Sequence, residues 1–224
     1  MNVDEAVEEL RRLADPSRKP GMARVRIDVT DALGVSVPNI RAVAKRAGTD
    51  HRLALALWRT GIHEARMLAT LVADPGTLTE AQLERWVRDL SSWDVCDAAA
   101  DLFIASDVGR GKIRAWARRP ESYVKRCAFS MIARRAVSGK AAPDREFLGY
   151  LVMIRRGSTD PRNEVRKGVS WALRQIGKRN RALHAAAIEE AERLLELTST
   201  PARWVARDAL RELRSTAVLR RLPE

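Results

Sequence analysis

Three short stretches decide the fold: Tyr123-Val124-Lys125-Arg126-Cys127-Ala128, Glu164-Val165-Arg166-Lys167-Gly168-Val169 and Trp204-Val205-Ala206-Arg207-Asp208-Ala209. Their valines lie 41 and then 40 residues apart, and each stretch opens a helical run after a turn near Pro120, Pro161 or Pro201. A pair of helices of this size cannot bury its apolar face alone. Paired helices recurring at such a period are therefore read as HEAT-like repeats stacked on one another. The expected class is all-α, a HEAT-like α-solenoid (an α-α superhelix) with a concave basic face, over one domain at 1–224.

Registering the copies on their valines sets a cation two places downstream in each, giving a column of Arg126, Lys167 and Arg207. In the second copy Val165, Val169, Ala172, Leu173 and Ile176 form the core stripe of a helix. Lys167, Trp171, Arg174 and Lys178 form the stripe opposite. A large apolar ring on a polar face is costly unless something covers it, so Trp171 is either overlaid by a neighbour or placed for a ligand.

The first half reads as shorter helices over 3–14, 22–33, 37–45, 53–59 and 62–72, then one that Thr79 caps. No two-residue alternation appears, so no strand is expected. Ser91-Ser92-Trp93-Asp94-Val95-Cys96-Asp97 then opens a helix ending near Phe103. Trp93 and Asp97 are one turn apart and share a face. Val95, Ala99, Leu102 and Phe103 fall on the core side. The stretch thus presents an indole and a carboxylate together. The structural alternative is an N-cap at Ser92, with Asp94 and Asp97 complementing the helix dipole.

Composition bounds the function. The chain of 224 residues is 46% hydrophobic and 31% charged, as expected of a soluble globular protein. No apolar run is long enough for a membrane span, and the N-terminus lacks a signal-peptide pattern. With two cysteines and three scattered histidines (His51, His63 and His184, all read as structural), no disulfide framework or metal site is encoded. A reducing, cytoplasmic setting is expected, without a metal or other cofactor. The net charge of +12 is lopsided: residues 1–100 hold 14 basic and 15 acidic side chains, whereas 101–224 hold 27 against 14. A basic half of this kind suits a surface that faces phosphates.

Beyond these readings, the sequence resembles the DNA alkylation repair family of HEAT-repeat glycosylases, the AlkD-like proteins. The resemblance is carried by Pro20-Gly21-Met22-Ala23-Arg24, Gly34-Val35-Ser36-Val37-Pro38, His63-Glu64-Ala65-Arg66 and Trp93-Asp94-Val95-Cys96-Asp97, and continues at Tyr123-Val124-Lys125-Arg126 and Gly168-Val169-Ser170-Trp171-Ala172-Leu173-Arg174. It implies a monofunctional glycosylase excising positively charged N3- or N7-alkylated purines from double-stranded DNA. Asp97 would be the catalytic carboxylate, Trp93 and Trp171 would flank the damaged nucleotide, and Arg126 would hold the backbone beside it. Arg126, Lys167, Arg174, Lys178 and Arg207 are the expected DNA-binding cations. The sequence departs from some active members at Val25, where they place a tyrosine. A monomer is expected, nucleoid-associated when bound to DNA. Two other readings stay open: a HEAT protein that binds distorted duplex without chemistry, and a protein-interaction scaffold.

Overall fold

A computed structural model describes residues 1–223. Among the described residues the secondary structure is helical, with no strand. The chain divides into two compact units, Met1–Gly109 and Arg110–Glu224. Among the described residues no helix is long and apolar enough to cross a membrane.

The first unit contains α1 (Val3–Arg12), α2 (Lys19–Arg24), α3 (Val37–Ala47), α4 (His51–Arg59), α5 (His63–Val72), α6 (Glu80–Arg88) and α7 (Trp93–Ala105). Local chemistry sets most boundaries. Asn2 and Glu5 form a capping box at α1, and the side chains of Ser36, Asp50 and Thr79 accept backbone N–H groups at the starts of α3, α4 and α6. The apolar stripes face inward: Leu10, Val43, Leu57, Leu68 and Leu83 are fully buried.

The helix expected over 22–33 does not form. The chain leaves α2 at Arg24, and Arg26 adopts φ 66°, the left-handed conformation that closes a helix. Arg26 N donates to Ala23 O at 2.9 Å and Ile27 N to Met22 O at 3.1 Å, the paired bonds of a Schellman termination. Val25, Ile27, Val29 and Thr30 are β-branched and weak helix formers, so nothing local opposes the break. The following loop is held from α5 instead. Glu64, 1% exposed, accepts from Leu33 N at 2.8 Å, Gly34 N at 2.7 Å and Val35 N at 3.2 Å. Gly34 is required there: its φ is +84°, and a Cβ would lie 2.1 Å from the Asp15 carbonyl oxygen.

After α8 (Asp107–Trp116), the second unit continues with α9 (Ser122–Ser138), α10 (Asp144–Gly157), α11 (Asn163–Ile176), α12 (Arg181–Glu196), α13 (Thr200–Leu213) and the short α14 (Thr216–Leu219). The three stretches that set the repeat open α9, α11 and α13, and their valines are buried at 1%, 0% and 0% exposure. These helices pack side by side in sequence, with α10 and α12 packed against them as the second member of each pair. That is the helical-pair layering of a HEAT-like repeat.

Polar links join residues 35 to 38 positions apart, a little less than the spacing of the valines. Lys125 Nζ reaches Asp160 at 3.0 Å, Arg155 pairs with the buried Glu190, and Ser170 Oγ donates to Asp208 at 2.6 Å. Each joins one repeat to the next. Asp160 also accepts two bonds from the Arg162 guanidinium, which holds its carboxyl well below the usual carboxylate range.

Candidate nucleic-acid interface and catalytic residues

In the first unit, α7 carries both residues of the proposed catalytic stretch. Trp93 is its first residue and Asp97 lies one turn later; both are half-buried. Val95, Ala99, Leu102 and Phe103 enter the core as expected. Cys96, Ala100 and Ile104 are buried as well, so the core takes more of α7 than a one-sided stripe implies. The face of the helix left outside the core carries the half-buried Trp93 and Asp97 and, further along, the exposed Asp101 and Ala105.

The indole of Trp93 is fixed rather than loose: its Nε1 donates to the Val25 carbonyl at 3.0 Å. The Schellman closure explains why that oxygen is available. Val25 is the C-cap of α2, a position whose carbonyl has no helical donor. Val25 thus holds the tryptophan through its main-chain oxygen and not through its side chain.

Ser92 does not act as the expected side-chain cap. Its Oγ donates to Asp94 Oδ1, and the same carboxylate accepts Val95 N at 2.9 Å. Asp94 Oδ2 meets His63 Nε2 at 2.9 Å. Burial opposes ionisation of both side chains, but the hydrogen bond and charge between them outweigh it. His63 lies above its usual 6.5 and Asp94 below its usual 3.8. The sequence marks His63 only as structural. Its reach to the start of α7 is a long-range pairing that the His63-Glu64-Ala65-Arg66 motif does not announce. His51 bonds Gln82 and His184 bonds the Gly177 carbonyl, both internal contacts.

The remaining candidates lie in the second unit and do not form one uniform set. Trp171 is half-buried on α11, as the periodicity requires, and the Arg134 guanidinium lies over its ring at 5.0 Å. With the Gln175 amide oxygen turned toward them, Trp171 Nε1 donates to it at 3.1 Å and Lys178 Nζ at 3.0 Å. In the expected cation column, Lys167 and Arg207 are exposed, and neither pairs with a carboxylate among the described residues. Arg126 departs from that column. It is 5% exposed, and its Nη1 donates to the Glu164 carbonyl at 2.9 Å, so its guanidinium is drawn into the α9–α11 packing rather than presented to solvent. Arg174 and Lys178 are half-buried and share Glu212, the Lys178 bond being 2.6 Å. The repeat register puts Arg126, Lys167 and Arg207 in one column and the helical period puts Lys167, Trp171, Arg174 and Lys178 on one stripe; neither carries information about the acidic residues on α13 that face Arg174 and Lys178.

The profile of the DNA alkylation repair enzyme family matches residues 6–213. The chain belongs to that family. Among solved structures, it is similar to one described as from a new family of proteins related to the HEAT-like repeat DNA glycosylases with affinity for branched DNA structures. That likeness has a TM-score of 0.78 at 18% identity over 86% of this chain and 83% of the other. It supports the HEAT-like repeat fold. An engineered protein aligns at a TM-score of 0.44 and 15% identity, covering 92% of this chain and 98% of its own. Among curated proteins none matches the chain. Among the described residues, no three His, Cys, Asp or Glu side chains are grouped as a metal site would need.

Proposed function

We propose that this member of the DNA alkylation repair family is a monofunctional glycosylase. It would remove positively charged N3- or N7-alkylated purines from duplex DNA, with Asp97 as the catalytic carboxylate. The observation that carries the reading is the pairing on the open face of α7: an aspartate one turn from a tryptophan whose ring is held by a main-chain acceptor.

The chemistry suits a single acid. Ordinary glycosidases need one carboxyl to protonate the leaving group and another to act on the sugar. A 7-alkylguanine already carries a positive charge, so the N-glycosyl bond can break with its electron pair passing to the base nitrogen, which becomes neutral. The developing cation is then on the sugar. At ~4 Å and an effective dielectric near 20, a carboxylate attracts such a charge by about 4 kcal/mol. That corresponds to roughly a thousandfold in rate. Water then adds at the anomeric carbon and loses its proton. Stacking of a cationic base on Trp93 or Trp171 contributes about 0.5–2 kcal/mol, which selects the substrate more than it drives the reaction.

Backbone binding is assigned first to Lys167 and Arg207, whose charges face solvent. Arg174 and Lys178 follow, with their charge partly offset by Glu212. Arg126 is assigned the support of α11 beneath these contacts. No cofactor takes part in the scheme.

A second reading, DNA binding without excision, is favoured by the description of the structurally similar protein in terms of branched-DNA affinity. One experiment separates the two. Duplex containing 7-methylguanine is incubated with the protein and analysed for free base, with duplex and branched-DNA binding measured in parallel. Free base supports the glycosylase; salt-sensitive binding with no release supports the second reading.

A further inference from the structure

Four tryptophans can be compared by what their indole N–H meets. Trp58 donates to Asp89, Trp93 to the Val25 carbonyl and Trp171 to Gln175. Trp204 Nε1 meets no acceptor among the described residues, and its ring is only half-buried. It lies on the solvent side of α13 with Arg207 and Arg211, opposite Val205, Ala206 and Ala209 in the core.

The ring is not isolated. The Arg166 guanidinium of α11 stacks over it at 4.3 Å, closer than the 5.0 Å between Arg134 and Trp171 one repeat earlier. Arg166 is tethered by one bond from Nη2 to Asn163 Oδ1 at 3.2 Å, while its Nε is buried without a partner. Lys167 follows Arg166 on α11, and Arg207 lies one turn from Trp204 on α13. Neither is neutralised by a carboxylate among the described residues. The Arg–Trp arrangement at Trp171 therefore recurs one repeat later, with an open N–H on the ring, the exposed Arg207 one turn away on α13 and the exposed Lys167 next to the stacking arginine in sequence.

We infer that Trp204, backed by Arg166 and flanked by Lys167 and Arg207, is a stacking site for an unpaired nucleotide, separate from the residues assigned to the damaged base. The inference rests on the DNA-binding reading above but not on excision. A flat ring with a guanidinium fixed against it offers a rigid surface to a base, and the two exposed cations take the phosphates on either side. A base inside an intact duplex has its faces covered by its neighbours, so this surface takes nucleotides from a gap, flap or overhang. The unbonded indole N–H is then free to donate to a phosphate or base oxygen.

The test uses unmodified DNA and the full chain, so it is independent of whether any base is released. Affinities for an intact duplex and for the same duplex with a three-nucleotide gap are measured by anisotropy, for wild type, Trp204→Leu and Trp204→Tyr. Leu keeps apolar cover over α13 without a stacking surface; Tyr keeps both. Wild type should prefer the gapped duplex, and Trp204→Leu should lose that preference by roughly 10- to 100-fold, the worth of one stacked base. Trp204→Tyr should retain it, and intact-duplex affinity should be unchanged in both. An absent wild-type preference, a preference that survives in Trp204→Leu, or an equal loss on both DNAs would overturn the inference. Arg207→Gln, at an exposed position that folding does not need, should lower the salt slope of gapped-DNA binding by about 1; an unchanged slope would remove Arg207 from the site.

Discussion

Glu64 and Gly34 show how single residues prepare the ground for the proposed chemistry. Glu64 answers three consecutive N–H groups of a loop that has no helix to satisfy them. Replacing it with Ala should cost about 1–3 kcal/mol for each donor left buried and unpaired. Thermal unfolding would register this as a large drop in Tm. Gly34→Ala should be worse than an average substitution, by more than ~2 kcal/mol, because a side chain there meets both a left-handed backbone and the Asp15 carbonyl. Both residues belong to motifs visible in the sequence, but their reason is visible only in three dimensions. Pattern reading finds a glycine and a glutamate; it does not show that one must make room and the other must accept.

At the level of elements, the repeat helices were legible because a buried valine and its register recur at a fixed period. The 22–33 segment was not, because its apolar residues mimic a helical stripe while its termination depends on Arg26 adopting a left-handed conformation. The start of α7 depends on another distant partner. His63 on α5 and Asp94 on α7 stabilise one another, and the sign of the pH effect follows from their shifts. His63, raised in the folded state, contributes stability that is present below its usual 6.5 and is lost as pH rises through the higher folded value. Asp94, lowered, contributes stability that is present above its usual 3.8 and is lost as pH falls through the lower folded value. The gain is therefore greatest in the window between these limits. Taking the wild type from about pH 6 to about pH 9 should reduce its Tm more than that of His63→Gln, which lacks the titrating partner. Equal pH dependence in the two proteins would show that the pair does not couple α5 to α7.

For the whole molecule, charge is the property most directly given by composition. Nearly all of the net positive charge lies beyond residue 100, and the structure leaves Lys167 and Arg207 open while tying Arg174 and Lys178 to Glu212. If ~6–10 phosphates are contacted, DNA affinity should fall by roughly 10³–10⁵ between 50 and 200 mM salt. The Lys167→Gln, Arg207→Gln double variant should lower the salt slope by about 2. Substituting Arg126 should instead act through stability, since its guanidinium serves the packing of α9 on α11. Base release is assigned to the Asp97 carboxylate, and single-turnover kinetics on duplex containing 7-methylguanine measure its contribution. Asp97→Asn should release the free base roughly a thousandfold more slowly than wild type while binding the duplex equally well. Equal release rates from the two proteins would contradict the account.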